Sequence, residues 1–177
     1  RCRAGGSDPM RVIEPPALAV SVEAFKRAVH LDGPDDDLLI AELLAAATEV
    51  VETAARRPLM PRLVAFETPA GRWSRWYLPI APVIELVEIS DPTARLVRGA
   101  TEPALERPAA EGAVSLTALC GHEDPARIPR GLCQAVILLA KEWHDAGIGP
   151  AEGAPPLSFG IQRLIRQARY ARPMVSE

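Results

Sequence analysis

DDDLLIAELLAAATEVVETAARRPL, residues 35–59, contains a long helical pattern. Apolar residues recur every three to four positions in it, as on one face of an α-helix. The pattern predicts a central apolar stripe (Leu39, Leu43, Ala46, Val50, Ala54) with apolar flanks (Ile40, Leu44, Ala47, Val51) and an opposite polar side (Glu42, Glu49, Glu52, Arg56). Asp35–Asp37 are expected to cap this helix, whose first turn favours carboxylates. Pro58 ends it, because proline has no N–H to donate and its ring clashes with the preceding turn.

Three further helices are predicted on either side of this one. Ser21 is placed to cap a short first helix, VEAFKRAVHL, residues 22–31. A third helix, RGLCQAVILLAKEWHDAG, begins after Pro129 and ends at Gly147, and it is expected to pack on the second. The last helix starts after Ser158, and its predicted apolar side is Ile161, Leu164, Ile165 and Ala168.

The middle of the chain has strand character instead. Short β-like segments, RLVAFET, RWSRWYL, VIELVEIS and AVSLTAL, alternate with Pro and Gly between residues 60 and 128. The proline-rich stretch 91–112 is not assigned a regular structure. We therefore predict a mainly α fold, a small bundle of about four helices with a short antiparallel β segment between the second and third. The expected organisation is a flexible arm (1–20), a body (21–147) with a β-rich insertion at about 60–128, a linker (148–157) and a C-terminal docking helix and tail (158–177).

Composition limits the classes of function. The 177 residues match one domain, and a net charge of −3 argues against a protein that coats nucleic acid by bulk electrostatics. Cys2, Cys120 and Cys133 are odd in number and widely spaced, which favours a reducing cytoplasm over a disulfide framework. No apolar run has the length of a signal peptide or of the ~20 residues that cross a bilayer, so neither export nor membrane insertion is expected.

The sequence gives little support for a catalytic site or a metal site. Cys120, His122, Cys133 and His144 are potential zinc ligands or a Cys–His pair, but they lack the paired short spacings of structural zinc sites. The three aspartates lack the alternating ligands of a calcium loop, and the sequence has no phosphate-binding glycine loop and no GxSxG motif. No catalytic residue, metal or cofactor is therefore expected. Stacking on bases or a partner is an alternative for Trp73, Trp76 and Tyr77, although a place in the core and rim of a small sheet is favoured.

Two longer motifs point to a family. SVEAFKRAVHLDGPDDDLLIAELLAAATEVVETAARRPL, residues 21–59, combines a short helix, an acidic turn and a helix that ends in arginine before a leucine. IPRGLCQAVILLAKEWHDAG, residues 128–147, has the pattern P-x-x-L-x-x-A in a helix that carries a tryptophan near its end. In this order and separation, the two motifs resemble the head–tail connector (adaptor) proteins of tailed bacteriophages and phage-derived gene transfer agents.

The resemblance implies an assembly protein and not an enzyme. It implies a homo-oligomeric, twelvefold ring beneath the portal protein that extends the DNA channel without sequence-specific DNA binding and supports the next neck (stopper) or tail protein. Such a protein would be made in the host bacterial cytoplasm and would end in the particle's neck, without a membrane or cofactor. Subunit contacts would fall on the second helix, with the candidates Glu42, Ala46, Ala47, Glu49, Arg56 and Arg57. The alternative is that its alanines are only good helix formers on a buried element.

The C-terminal segment differs in charge from the rest. Residues 158–177 have a net charge of +3, whereas residues 1–157 have −6. The resemblance implies that this segment binds the portal, with the candidates Phe159, Ile161, Arg163, Leu164, Arg166, Arg169, Tyr170 and Arg172. A short helix with few apolar residues is expected to be poorly ordered until it binds. Alternatives are an ordinary solvated face, a small DNA-binding regulator that reads DNA with this helix, and a stopper or tail-completion protein of the same neck.

Overall fold

The computed structural model describes residues 10–13, 17–147 and 157–173. Four α-helices occur in these residues: α1 (Val22–Val29), α2 (Asp37–Ala55), α3 (Arg130–Ala146) and α4 (Phe159–Ala168). The described strands are β1 (Met10–Val12), β2 (Arg62–Glu67), β3 (Trp73–Tyr77), β4 (Val83–Ile89), β5 (Arg95–Val97), β6 (Ala104–Ala110) and β7 (Ser115–Cys120). A 3-10 helix, Pro125–Arg127, precedes α3.

The chain divides into two compact units. The helical unit is Ala17–Met60 with Asp124–Tyr170, and the β unit is Arg1–Pro16, Pro61–Glu123 and Ala171–Glu177. The β unit holds two antiparallel sheets, with strand orders β1-β2-β7-β4 and β3-β6-β5. The prediction of a small helical bundle with a short β segment is therefore wrong. The unassigned stretch 91–112 supplies β5 and β6, and Pro108 lies where the pairing of β3 with β6 is irregular, so its missing N–H interrupts no regular ladder.

Both sheets contribute to one core in the β unit. Buried side chains of the four-stranded sheet, Val64, Phe66, Val83, Leu116, Ala118 and Cys120, form one cluster with Trp76 and Leu105 of the three-stranded sheet. On β2 and β7 the buried residues alternate with less buried ones, as the pleat of a strand requires. The two sheets thus stabilise each other by burying one face apiece.

The helical unit has its own core around α2. The buried face of α2 is Ile40, Leu43, Leu44, Ala47, Val51 and Ala55. This face is centred on the residues predicted as a flank, whereas Leu39 of the predicted stripe is exposed and Ala46, Val50 and Ala54 are only half-buried. The buried face differs from the predicted stripe because α1, α3 and α4 all pack against α2. Their positions decide which apolar side of the helix is covered.

The helix ends follow local signals. The Ala24 N–H donates to Ser21 Oγ at 3.2 Å, and Gly147 ends α3 with a φ of 65°, as predicted at both positions. At the end of α2, Arg56 takes the left-handed conformation, and the Leu59 N–H donates to Glu52 Oε1 at 2.6 Å. Glu52 was predicted to lie on the polar side opposite the apolar stripe, but its carboxylate is buried and holds the turn that leaves the helix.

Parts of the predicted organisation lie outside the described residues. These are 1–9 and 14–16 of the arm, 148–156 of the linker and 174–177 of the tail. Within the predicted arm, β1 pairs with β2, and Met10 lies opposite Phe66. Among the described helices, none is both long and apolar enough to cross a membrane.

Candidate functional site and assembly surfaces

The C-terminal helix α4 packs into the core of the helical unit. Ile161 is 1% exposed and Ile165 is 3% exposed, and both belong to the cluster formed by α2 and α3. Leu164 and Ala168 pack against the same cluster, so the predicted apolar side is the one that is used. This packing differs from the expectation of a helix that remains poorly ordered until a partner binds.

Two hydrogen bonds join the end of α4 to the end of α2. Arg57 Nε donates to the Ala168 carbonyl at 2.6 Å, and the Tyr170 N–H donates to the Ala55 carbonyl at 2.8 Å. Burial lowers the pKa of the Arg57 guanidinium, and Tyr170 is also buried. Arg57 was a candidate for subunit contact and Tyr170 for portal contact, but in this chain both are used in internal packing.

The opposite face of α4 points to solvent. Phe159 is 76% exposed, and Arg163, Arg166 and Arg169 are exposed as well. Arg172, beyond the helix, has its guanidinium carbon 5.1 Å from the ring centroid of Trp76 in the β unit. The predicted portal-binding set therefore separates into residues that hold α4 in place and residues that a partner can reach.

The candidates for subunit contact also separate. Ala47 is fully buried within its own helical unit, and Ala46 is half-buried against the same core. Glu42, Glu49 and Arg56 are exposed. Ala47 therefore offers no surface to a neighbour, and the prediction of subunit contacts stays a prediction for the exposed residues of α2.

The aspartates before α2 do not cap it in the predicted way. Asp36 stands at the N-cap position, but its side chain makes no capping hydrogen bond. Asp37 instead pairs with Lys26 of α1, with Nζ and Oδ1 2.6 Å apart. His144 Nε2 at the end of α3 lies 3.8 Å from Asp36 Oδ2, which shows that α2 and α3 run antiparallel.

The β unit contains a polar cluster that sequence reasoning missed. The buried Arg107 has its guanidinium carbon 3.9 Å from the ring centroid of Trp73, and its nitrogens donate to Asp91 at 3.2 Å and to the Ala110 carbonyl at 2.8 Å. Hydrogen bonds from Thr93, and then from Arg107, lower the pKa of Asp91. Trp76 lies in the core and Trp73 beneath Arg107, in keeping with the structural role favoured for these aromatics. The prolines of 91–112 left this stretch without an assigned strand, so the neighbours of Arg107 were not predicted.

The potential metal ligands fall in both units. Cys120 and His122 belong to the β unit, and Cys133 and His144 belong to the helical unit. Burial raises the pKa of the Cys120 thiol to about 12 and also raises that of Cys133, so both favour the unreactive thiol form. In the described part of the chain, no three His, Cys, Asp or Glu side chains are grouped to hold a metal ion.

Comparison with known proteins gives matches at the level of structure. No family model and no curated protein matches the sequence. A chain in the neck of an empty gene transfer agent (GTA) particle, computed with C6 symmetry, is 25% identical with a TM-score of 0.72, and the alignment covers 94% of this chain and 98% of that chain. Chains in the virion of the native GTA particle and in the neck of the native particle, computed with C12 symmetry, are each 24% identical over the same shares, with TM-scores of 0.71 and 0.70.

The similarity includes both units, because nearly the whole of each chain is aligned. An alignment of the helices alone would leave the β unit unmatched. This chain therefore shares its fold with a neck component of gene transfer agent particles, which confirms the resemblance to head–tail connector proteins that the two sequence motifs indicated.

Proposed function

We propose that this protein is a structural head–tail connector of a phage-like particle. It forms a ring beneath the portal, extends the DNA channel and joins the capsid to the neck or tail. The observation that carries the proposal is the similarity to a GTA neck chain over 94% of this chain and 98% of the other, with a TM-score of 0.72. The role is structural and involves no catalysis.

The symmetry of the similar assemblies supports a ring. They were computed with C6 and C12 symmetry, and a protein arranged about such an axis is present in several identical copies. Cyclic rings of this kind use heterologous contacts, in which two different surfaces of one chain meet on neighbouring copies. The exposed faces of α2 and α4 are the described surfaces from which we expect the contacts with the portal and with neighbouring copies to be drawn.

The proposal is preferred to a DNA-binding regulator. A regulator would need α4 as a recognition helix but would not require the six strands between α2 and α3. The similarity to the neck chain covers these strands as well as the helices. A stopper or tail-completion protein remains a variant of the same proposal, and it differs in which neck protein lies above and below.

Reconstitution with the portal protein of the same particle tests the proposal. The purified chain is mixed with purified portal rings and imaged by electron microscopy, with each component alone as a control. We expect an additional ring, coaxial with the portal and with twelve copies. Binding only to a preformed portal–connector complex would move the protein to the stopper position. Sequence-specific DNA binding that persists at high salt, without attachment to any neck protein, would contradict the proposal.

A further inference from the structure

Two leucines at the start of α2 are exposed and do not belong to the core of the helical unit. Leu38 is 84% exposed and Leu39 is 40% exposed, whereas the buried face of the helix begins at Ile40. Asp35 and Asp36 are exposed beside them; Asp36 makes no side-chain capping bond, and its Oδ2 lies 3.8 Å from His144 Nε2. Neither core packing nor hydrogen-bond capping therefore accounts for this acidic leucine patch, which we define as Asp35, Asp36, Leu38 and Leu39.

A second surface, on α4, combines an exposed apolar side chain with positive charges. Phe159, Arg163 and Arg166 follow one another at i, i+4 and i+7 and so share the outward face of α4. All three are exposed, and neither arginine forms an ion pair with any residue that the structure describes. We call these three residues the α4 stripe.

The acidic leucine patch and the α4 stripe complement each other in charge and in apolar character. Each presents a large exposed apolar side chain bordered by charges of one sign, and the signs are opposite. Opposite charges steer association and fix its register, and burial of the apolar side chains adds affinity. A heterologous ring needs two such different surfaces on every copy. We infer that the acidic leucine patch of one copy binds the α4 stripe of the next copy; this inference rests on the proposed ring.

The two surfaces cannot meet within one chain. The bond from Arg57 to the Ala168 carbonyl places the end of α4 beside the end of α2. At 1.5 Å per residue, α4 extends about 14 Å from Ala168 back to Phe159, whereas Leu38 lies about 26 Å from Ala55 along α2. Even if α4 ran straight back along α2, Phe159 would stop about 12 Å short of Leu38. The two surfaces of one chain are therefore not each other's partners, and in a ring of identical copies each complementary surface comes from the next copy.

Charge exchange between the surfaces provides the test. One variant carries Asp35→Arg with Asp36→Arg, and the other carries Arg163→Glu with Arg166→Glu. All four side chains are exposed, so circular dichroism and thermal unfolding should show that both variants stay folded. Self-association of the full chain is measured by sedimentation velocity at low and high salt. We expect each variant to associate at least about a hundredfold more weakly than the wild type.

An equimolar mixture of the two variants should recover association. In the mixture, the acidic stripe of one variant faces the basic patch of the other, and the remaining unchanged surfaces also match. Leu38→Gln tests the apolar part without a change of charge and should also weaken association. Failure of the mixture to recover, or wild-type association in either charge variant, would overturn the inference.

Further controls separate this inference from the proposed function. Glu85→Arg with Glu111→Arg makes an equal charge change on exposed residues of the β unit, outside both surfaces and outside α2, and should leave association unchanged. Loss of association in that variant would overturn the inference, because the contact would not be confined to the two surfaces. A wild-type chain that stays monomeric at all concentrations, or an α4 variant that self-associates but no longer binds the portal, would also overturn it. Those two results would leave the neck proposal standing, since that proposal depends on portal attachment.

Discussion

Replacement of Ile161 by alanine tests whether α4 belongs to the core of the free protein. The change removes three carbon atoms from a side chain that is 1% exposed, and the transfer term alone is about 2.4 kcal/mol at ~0.8 kcal/mol for each buried carbon. A cavity term adds to this, but a short helix at the edge of the unit can relax into part of the space. We expect the free energy of unfolding to fall by about 2–4 kcal/mol.

Urea-induced unfolding measures the change, at a protein concentration where the chain is monomeric. Phe159→Ala is the matched control, because it removes a larger apolar group from the same helix at a position that is 76% exposed. That variant should lie within about 0.5 kcal/mol of the wild type. The same difference should appear in the melting temperature, at roughly 2–4 °C for each kcal/mol in a chain of this size.

Hydrogen exchange provides an independent measurement of the same packing. Amide groups of Ile165 and Ala168 should exchange slowly in the free monomer, because α4 opens only when its contacts with α2 and α3 are lost. Ile161→Ala should accelerate this exchange. Fast exchange in the wild type, together with an Ile161→Ala variant as stable as the Phe159→Ala control, would refute the reasoning and restore the view of α4 as a detached docking helix.

Three other residues yield further predictions. Ala47→Arg should unfold the helical unit at ordinary temperatures, because an unpaired charge at a fully buried position costs more than about 4 kcal/mol; a folded variant in circular dichroism would contradict the packing of α2. Glu52→Ala should lower the free energy of unfolding by about 1–3 kcal/mol in urea titrations, since it leaves the Leu59 N–H without its acceptor; an unchanged midpoint would show that another acceptor replaces the carboxylate. Cys120, with its pKa raised to about 12, should resist alkylation at pH 8 in the native protein and react rapidly in urea, as followed by mass spectrometry; rapid native labelling would contradict its burial.

Local signals in the sequence were sufficient for the helices. Ser21, Pro58 and Gly147 mark helix boundaries through their own backbone geometry and hydrogen-bonding groups, so their effects can be predicted without knowledge of the rest of the chain. The order and spacing of the two motifs around α2 and α3 were also sufficient to indicate the resemblance that the neck structures confirm. The sequence also showed the positive charge of the C-terminal segment, and Arg163 and Arg166 of its helix are exposed, whereas portal binding by this segment stays a prediction.

The two sheets could not be predicted without the tertiary structure. Strand pairing joins residues that are far apart in sequence, such as Arg62 and Cys120, and no local pattern specifies which segments will meet. The prolines of 91–112 favoured irregular structure locally, but β6 pairs with β3 on one side and with β5 on the other, and this pairing imposed two strands on that stretch. For this reason the β content was underestimated and the cluster around Arg107 was missed.

Contacts between distant parts of the chain also decide which helix faces are exposed. The periodicity of α2 showed that it is amphipathic, but α1, α3 and α4 decided that Ala47 is buried and that Leu38 is exposed. The bond from Arg57 to the carbonyl of Ala168 joins residues 111 positions apart and fixes α4 on the helical unit. The sequence by itself thus determined where α1, α3 and α4 begin and where α3 ends, because those signals act within a few residues. Only the tertiary structure decided which of their faces a partner can reach, because burial depends on contacts between distant parts of the chain.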